Sequence, residues 1–398
     1  MQKVLLLGFH ISQKKRAELD KLDQYPSRQT FNYHSKIVEC FQKIMCVELL
    51  SAYPVSDYPL CKKKYFKADS EIVSASGYEN NAYDIKYMPF INTPLLKVIS
   101  RFLSSFFYLY KSLKNKKPDY IVVYSVHLPF MLSSFLLGKL FRIKRVSIWT
   151  DPPALHNKTD SVLKSALRIC EGKISRYLMS TFDKSIVISE WLAKDYNSCK
   201  PYLVVESICN GDELTSYNPQ RSDCKIFTYT GTISRDYGLD LMLDTFSDFN
   251  EKIQLHLYGT GPDVKYLLDK IYKSSNIFYF GNVGLDIVKN IQSESSFLLN
   301  IRRHDDAFTR YSFPSKLTEY LQSSTPIISS RLDGIPLEYY DYLIPLNTYD
   351  VSELRRVVHK CILMEQQDVN SIGTAGKNFI VAKNIVYWAK LIQGFLND

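Results

Sequence analysis

Short apolar segments alternate with helix-length amphipathic segments along the whole chain, and this alternation constrains the fold more than any other feature. Segments such as LDLMLDTFSDF and VKYLLDKIYK have apolar residues at helical spacing and lie between strand-like runs. Strands separated by helices favour an α/β fold with parallel sheets. We predict ten strands, five in the first half (3–9, 43–52, 120–125, 145–150, 185–190) and five in the second (226–231, 253–259, 277–282, 296–301, 326–330).

The length of 398 residues and a hydrophobic fraction of 45 % favour two domains, each with its own core. The polar run NGDELTSYNPQRSDCK, residues 210–225, has the composition of a linker. We therefore predict a Rossmann-like domain over residues 1–209 and a second one over 210–382. Residues 383–398 form an amphipathic helix, which we expect to pack back on the first domain.

The net charge of +9 is unevenly distributed. Residues 1–200 contain 31 Lys and Arg against 17 Asp and Glu, a balance of +14, whereas residues 201–398 contain 19 against 24, a balance of −5. A basic half suggests that one domain faces an anionic surface. Nucleic acid is disfavoured, because no motif interleaves basic and aromatic residues in the pattern of a known reader fold. An anionic membrane is the remaining candidate.

Two segments of the basic half, 94–117 and 128–145, combine apolar, aromatic-rich faces with basic residues. They are either core-packing helices with wet basic sides, or at least one lies on anionic lipid. No run reaches the roughly 18–20 apolar residues that span a bilayer, and the apolar run at the start is too short for a signal peptide. We expect a cytoplasmic protein, peripheral on the inner face of the plasma membrane. The eight cysteines form no CxxC pair and no zinc pattern, so we expect them to be reduced.

Three loops of the second half follow predicted strands, where open α/β sheets bind anionic ligands. The first, YTGTISRDYG, contains Gly231 and Arg235, and the second, LYGTGP, contains Gly259 and Gly261. The second loop is not a dinucleotide fingerprint, because Val264 occupies the third glycine position. The first loop could also be an ordinary strand-to-helix turn with a surface arginine, and the second could be a turn that approaches a base or a ribose.

The third loop precedes FPSKLTEYL, in which Pro314 suits the first turn of a helix. Lys316 and Glu319 are spaced i,i+3 and share a face. A cation at the positive end of a helix dipole is disfavoured unless an anion lies nearby. We infer that Lys316 and Arg302, which ends the preceding strand, neutralise a diphosphate, and that Glu319 accepts hydrogen bonds from the vicinal hydroxyls of a sugar ring. The simpler alternative is a surface Lys–Glu pair beside an unrelated arginine.

These motifs resemble, in order, the donor-binding domain of retaining glycosyltransferases of family four, which have the GT-B fold. The resemblance covers residues 225–345 through YTGTISRDYGLDLML, LHLYGTGP, IFYFGNV, FPSKLTEYLQSSTPII and DGIPLEYYDY. In the first half only WTDPPALHNK and FDKSIVISEWLAKDY are similar. The resemblance implies two Rossmann-like open parallel-sheet domains facing a central cleft, with the first on the acceptor side and the second binding the donor.

The resemblance also implies an activity. A sugar would move, with retention, from a UDP- or GDP-sugar to a lipid-linked or saccharide acceptor in bacterial capsule, exopolysaccharide, lipopolysaccharide or O-antigen assembly. We expect no cofactor and no metal, because the chain has no DxD motif to hold Mg²⁺ on the diphosphate. The donor-binding residues that we carry over or infer are Gly231, Thr232, Arg235, Gly259, Arg302, Tyr311, Ser315, Lys316 and Glu319.

The chain departs from the family at several positions. Tyr311 replaces the first of two glutamates eight residues apart, Tyr237 and Thr232 replace a lysine and an arginine of the first loop, and Ser324 replaces a glycine. In the first half, Thr150 and Asp151 occupy a strand end where many members have a histidine.

We predict that Asp151 is a polar group near the acceptor, with His127 of YSVHLPF as second choice, and that Lys316 completes the catalytic set. Two alternatives stay open: a catalytically silent, membrane-associated partner subunit of a glycosyltransferase, and a nucleotide-sugar epimerase of the same fold. The replaced residues favour the first of these.

Overall fold

The computed structural model describes residues 2–25, 28–74, 82–153, 162–196, 199–209, 224–303 and 307–398. The chain forms two compact units. Unit 1 contains Met1–Ile208 and Ile385–Asp398, and unit 2 contains Cys209–Asn384. The C-terminal helix therefore belongs to unit 1. Most of the predicted linker, residues 210–223, lies outside the described residues.

Unit 1 is built on an eight-stranded sheet and a separate two-stranded ribbon. Its strands are β1 (Lys3–Gly8), β2 (Cys46–Ser51), β3 (Tyr65–Phe66), β4 (Asp69–Ser74), β5 (Ala82–Tyr87), β6 (Phe90–Ile91), β7 (Tyr120–Tyr124), β8 (Lys144–Trp149), β9 (Lys184–Val187) and β10 (Tyr202–Val204). Its helices are α1 (Gln13–Asp20), α2 (Arg28–Ile44), α3 (Leu96–Asn115), α4 (Leu128–Phe141), α5 (Val162–Ser180), α6 (Glu190–Tyr196) and the C-terminal α14 (Ile385–Asn397).

The large sheet has the order β10-β9-β8-β7-β1-β2-β5-β4. All neighbours are parallel except β4, which runs antiparallel to β5 at the edge. The central strands read as continuous apolar runs because helices cover both faces; Val4 to Leu7 of β1 are fully buried. The strand order reverses between β1 and β7, so the carboxyl ends at Gly8 and Tyr124 flank a topological switch point.

Unit 2 contains a six-stranded, fully parallel sheet in the order β13-β12-β11-β14-β15-β16. Its strands are β11 (Lys225–Thr230), β12 (Ile253–Tyr258), β13 (Ile277–Tyr279), β14 (Phe297–Asn300), β15 (Ile327–Ser330) and β16 (Ile344–Leu346). Its helices are α7 (Leu239–Phe246), α8 (Val264–Ile271), α9 (Leu285–Glu294), α10 (Ala307–Tyr311), α11 (Ser315–Gln322), α12 (Val351–Ile362) and α13 (Gln366–Ala382). Short 3-10 turns occur at Arg235–Tyr237 and Leu337–Asp341.

The α/β fold with two open sheets is confirmed, and all ten predicted strands form. Six strands were not predicted: β3, β4, β5, β6, β10 and β16. Four of these are very short: β3 and β6 have two residues each, and β10 and β16 have three each. The antiparallel β4 departs from the all-parallel prediction. Its sequence DSEIVS is polar because an edge strand has one unpaired side exposed to water.

All eight cysteines are free thiols. In the described part of the chain, every helix falls short of the length and apolarity needed to cross a membrane.

Candidate functional site

In unit 2, the loops after β11 and β12 are joined at the level of their backbones. Gly231 donates its N–H to the carbonyl of Tyr258 at 2.9 Å, and Ile233 donates to Thr260 at 2.9 Å. Gly259 has a φ of +131°, and a Cβ atom there would lie 1.8 Å from the carbonyl oxygen of Gly231. Gly259 is therefore needed for this close approach, which brings the first two predicted loops together, whereas a Cβ at Gly231 would lie 2.8 Å from the Tyr229 hydroxyl.

The first loop also packs on the end of β14. Gly238 has a φ of +78°, and a Cβ there would lie 2.9 Å from the carbonyl oxygen of Ile301. This contact places the preceding residue, Tyr237, beside Arg302. The Arg302 guanidinium carbon lies 4.8 Å from the centroid of the Tyr237 ring, a cation–π distance. The three loops thus meet at the carboxyl edge of adjacent strands, as the sequence predicted.

Two buried tyrosines lie under this edge. The Tyr229 hydroxyl donates to the carbonyl of Thr232 at 2.9 Å, and the Tyr320 hydroxyl donates to the carbonyl of Thr230 at 3.1 Å. Burial raises the pKa of Tyr229, and burial likewise raises the pKa of Tyr320 to about 12. The charge of Arg302 acts in the opposite direction and lowers both pKa values.

Lys316 and Glu319 form an ion pair on α11, with 2.7 Å between Lys316 Nζ and Glu319 Oε2. Helix α11 begins at Ser315, so Pro314 is the residue before the helix rather than part of its first turn. The side chains are 30 % and 47 % exposed, and an exposed pair of this kind contributes about 0–1 kcal/mol. After burial, the charge of Glu319 also raises the pKa of Tyr320.

Arg235 is engaged elsewhere. Its backbone N–H donates to Asp263 Oδ2 at 2.8 Å, its Nε lies 3.4 Å from Asp263 Oδ1, and its guanidinium lies over Tyr266. It therefore ties the first loop to the start of α8. Tyr311 ends α10, half-buried beside Arg310, and Ser315 is exposed. Thr232 is also exposed at the tip of the first loop.

The predicted acceptor-side residues follow different strands of unit 1. Asp151 is exposed two residues after β8 and accepts a hydrogen bond from Thr150 Oγ1 at 2.8 Å. Burial raises the pKa of Tyr124, and the charge of Asp151 raises it further. His127 precedes α4, and its ring packs against Phe9 with 5.0 Å between centroids. Burial, followed by the charges of Arg101 and Lys97, lowers the pKa of His127 well below its usual range.

Sequence reasoning missed the aromatic support of the donor edge. Tyr237 was noted only as a departure, and neither Tyr229 nor Tyr320 was singled out. A usable signal was available in the loop spacing, since Tyr237 directly precedes the glycine that packs on β14. Within the described ranges, no three His, Cys, Asp or Glu side chains are grouped so as to hold a metal ion.

Comparison with known proteins gives a family and a fold. Residues 224–361 match the family Glycosyl transferases group 1. No curated protein matches the chain.

Solved structures of similar fold include HepE from Anabaena in complex with UDP, with a TM-score of 0.64, 11 % identity and 100 % of both chains covered. Sucrose-phosphate synthase from Thermosynechococcus elongatus has a TM-score of 0.68 and 13 % identity over 100 % of this chain and 98 % of its own. The lipopolysaccharide outer core galactosyltransferase WaaB has a TM-score of 0.63 and 15 % identity over 99 % of both chains. Identities this low establish the fold alone, whereas the family match covers the loops described above. Residues 224–361 therefore match the family Glycosyl transferases group 1, and the chain as a whole has the GT-B fold of these glycosyltransferases.

Proposed function

We propose that this protein transfers a sugar from a UDP- or GDP-linked donor to a lipid-linked or saccharide acceptor, with retention and without a metal, in the assembly of a bacterial surface polysaccharide. The observation that carries the proposal is the pair of cations at the carboxyl edge of the unit 2 sheet. Arg302 is stacked on Tyr237 at the end of β14, and Lys316 lies in the first turn of α11.

The donor diphosphate would lie against these two cations and the N-terminus of α11. The acceptor hydroxyl attacks the anomeric carbon on the face from which the diphosphate departs. The bond from the anomeric carbon to the diphosphate oxygen breaks, and the hydroxyl proton passes to the departing oxygen. Arg302 and Lys316 stabilise the charge that develops on the leaving group, which is the main contribution that such a site makes to rate.

Donor binding would change the partners of both members of the Lys316–Glu319 ion pair. A diphosphate competes for the Lys316 ammonium, and the Glu319 carboxylate then becomes available to the ribose hydroxyls. Since the exposed pair contributes little by itself, this exchange costs little free energy. HepE and WaaB, whose descriptions name UDP and galactosyl transfer for lipopolysaccharide, support a nucleotide-sugar donor and a surface-polysaccharide role.

Helix α3 supports an anionic membrane as partner. It buries Arg101, Ser105, Leu109, Ser112 and Leu113 within unit 1. It exposes a stripe of large apolar side chains at helical spacing, which we call the α3 outer stripe: Leu96, Ile99, Leu103, Phe107 and Tyr110. Leu140 of the neighbouring α4 is also exposed. Residues 101–150 contain nine basic residues and one acidic, so the stripe has the charge complement of anionic lipid.

The experiment is a donor panel of UDP- and GDP-sugars, with a membrane extract as acceptor and release of nucleoside diphosphate as readout. We expect release with one donor, dependent on the extract and unchanged by EDTA. Lys316→Ala is expected to lower kcat/KM at least about tenfold, as for loss of one charge-assisted contact to the transition state.

Arg356→Ala is the control, because Arg356 also forms an i,i+3 ion pair, with Glu353, in the same unit and its side chain is exposed. Unchanged turnover in Lys316→Ala would refute the assigned role. Release abolished by EDTA would refute metal independence.

A further inference from the structure

Arg101 is a buried cation with few partners. Its side chain is 7 % exposed, and its Nη2 donates to the carbonyl of Tyr53 at 2.7 Å, while its Nε has no partner. The guanidinium carbon lies 4.4 Å from the centroid of Phe90 and 5.2 Å from that of Phe9. Burial lowers the pKa of Arg101 to about 9. A buried charge is normally paired, because desolvation is costly.

Asp57 is the carboxylate whose charge raises the pKa of Arg101, against the larger effect of burial, and it is already paired with a lysine. Asp57 Oδ1 lies 2.7 Å from Lys97 Nζ, and Lys97 also donates to the carbonyl of Val55 at 2.6 Å. The local balance of these three charged groups is therefore positive by one.

His127 lies on the same aromatic ring as Arg101. Both side chains pack against Phe9, His127 with 5.0 Å between ring centroids. Its Nε2 is buried without a hydrogen-bond partner. Because its pKa is well below the usual range, the His127 imidazole is neutral, and its Nε2 can donate or accept a hydrogen bond according to the tautomer.

The backbone at this point is that of a ligand site. Phe9 follows β1 and His127 follows β7, so both lie at the topological switch point of the unit 1 sheet. Ser125 adopts a φ of +71°, a strained conformation that is found preferentially at functional sites. His127 also precedes the 14-residue helix α4, and its carbonyl accepts hydrogen bonds from the N–H groups of Phe130 and Met131, which fixes the loop at the start of that helix.

We propose that Arg101 and His127 form an anion site that takes a phosphate or diphosphate carried by the acceptor. A tetrahedral phosphate accepts hydrogen bonds from a guanidinium and from an imidazole N–H at once. This site rests on the proposed function for its biological meaning, but it is separate from the donor edge and can be tested without turnover.

The test is isothermal titration of the intact protein, first with UDP and then, at saturating UDP, with pyrophosphate and inorganic phosphate. We expect a second binding event whose affinity falls at least about tenfold in Arg101→Gln and in His127→Gln, while UDP affinity is unchanged. Farnesyl diphosphate and a sugar 1-phosphate, titrated in parallel, distinguish a lipid-linked source from a soluble one.

Arg145→Gln is the matched control. Arg145 is equally buried, at 5 % exposure, and lies between the rings of Phe135 and Phe182, but it is at the amino end of β8 and bonds to Thr181. If Arg101→Gln does not fold, His127→Gln and Arg101→Lys carry the test. Unaltered pyrophosphate binding in the variants, or no second event in the wild type, overturns the site. If the wild type does not bind UDP, the assignment of Arg302 and Lys316 as the donor site is wrong. Pyrophosphate binding that depends on Arg101 would still support the anion site in unit 1.

Discussion

The guanidinium of Arg302 lies over the ring of Tyr237, with 4.8 Å between its central carbon and the ring centroid. The ring face attracts the cation and fixes where the guanidinium lies at the end of β14. A lysine in place of Tyr237, as in the resembling family, would supply a second cation instead. In this chain Tyr237 therefore stands in place of a lysine charge and instead orients the charge of Arg302.

Tyr237→Leu should weaken UDP binding about three- to thirtyfold, because a cation–π contact contributes about 0.5–2 kcal/mol. Tyr237→Phe keeps the ring face and should bind UDP like the wild type. Calorimetric titration of both variants measures the difference. In the Arg302→Gln variant, the additional Tyr237→Leu change should not weaken UDP binding further. If the two losses of UDP affinity were additive, Tyr237 would not act through Arg302.

Three histidines, His10, His34 and the His127 described above, make the stability of unit 1 depend on pH. Burial lowers the pKa of His10 from 6.5 to about 4, and burial followed by the His10 charge lowers that of His34 well below 6.5. His34 stacks on Tyr124 at 3.6 Å, and neither of its ring nitrogens has a partner. Below pH 6.5 the unfolded chain binds protons that the folded chain does not, so the free energy of unfolding falls as pH falls from 6.5 towards 4.

The expected loss is about 2 kcal/mol for each histidine between pH 7 and pH 5. Urea unfolding at the two pH values measures it. His34→Phe retains the stack on Tyr124 and should reduce the pH dependence by one histidine's share, whatever its stability at pH 7. A variant with undiminished pH dependence would show that His34 titrates normally.

Among the elements, the two glycine loops after β11 and β12 act as one structure. Their backbones approach so closely that Gly259 has no room for a Cβ, and its φ of +131° excludes other residues as well. The donor edge depends on this contact, because it fixes where Gly231 and the first loop begin.

Gly259→Ala should lower the free energy of unfolding of unit 2 by more than about 2 kcal/mol, in the range of large backbone effects. Gly284→Ala is the control: Gly284 precedes α9 after the next strand, and no atom lies within 4 Å of a Cβ there. Chemical denaturation of the two variants compares them directly. Equal stabilities would mean that the loops can separate without cost.

The sequence was most informative where one local rule decides the outcome. Continuous apolar runs predicted every central strand, because a strand buried on both faces has no other composition available. Strand β4 was missed because its polar sequence reflects an edge position, which depends on distant pairing. The convergence of three loops was predictable from parallel strands, but the direction of Arg235 was not, since Asp263 and Tyr266 reach it only in the folded chain.

For the whole molecule, the distribution of charge and of exposed apolar side chains points to one face of unit 1. Leu103→Ser with Phe107→Ser removes two members of the α3 outer stripe, exposed at 61 % and 60 %. We expect binding to vesicles of anionic phospholipid to fall at least about tenfold, since each buried apolar side chain contributes about 1.5–3 kcal/mol.

Leu363→Ser is the control for this measurement, because Leu363 is 83 % exposed in the acidic half. Co-sedimentation with anionic and with zwitterionic vesicles separates charge from apolar insertion. Equal binding of the double variant and the wild type would exclude the stripe as the membrane contact.

Unit 2 begins and ends at the same place. Cys209 and Asn384 pair as a parallel β-bridge, and Cys209 donates its N–H to the carbonyl of Lys383 at 3.0 Å. Unit 2 is thus a single continuous insertion into unit 1, with its two ends side by side. Such an insertion can be exchanged as one cassette, joined at these two residues, while unit 1 keeps its own strands and its C-terminal helix. Under the proposed function, one genetic replacement of this kind would change the nucleotide-sugar preference and leave the acceptor preference as it was.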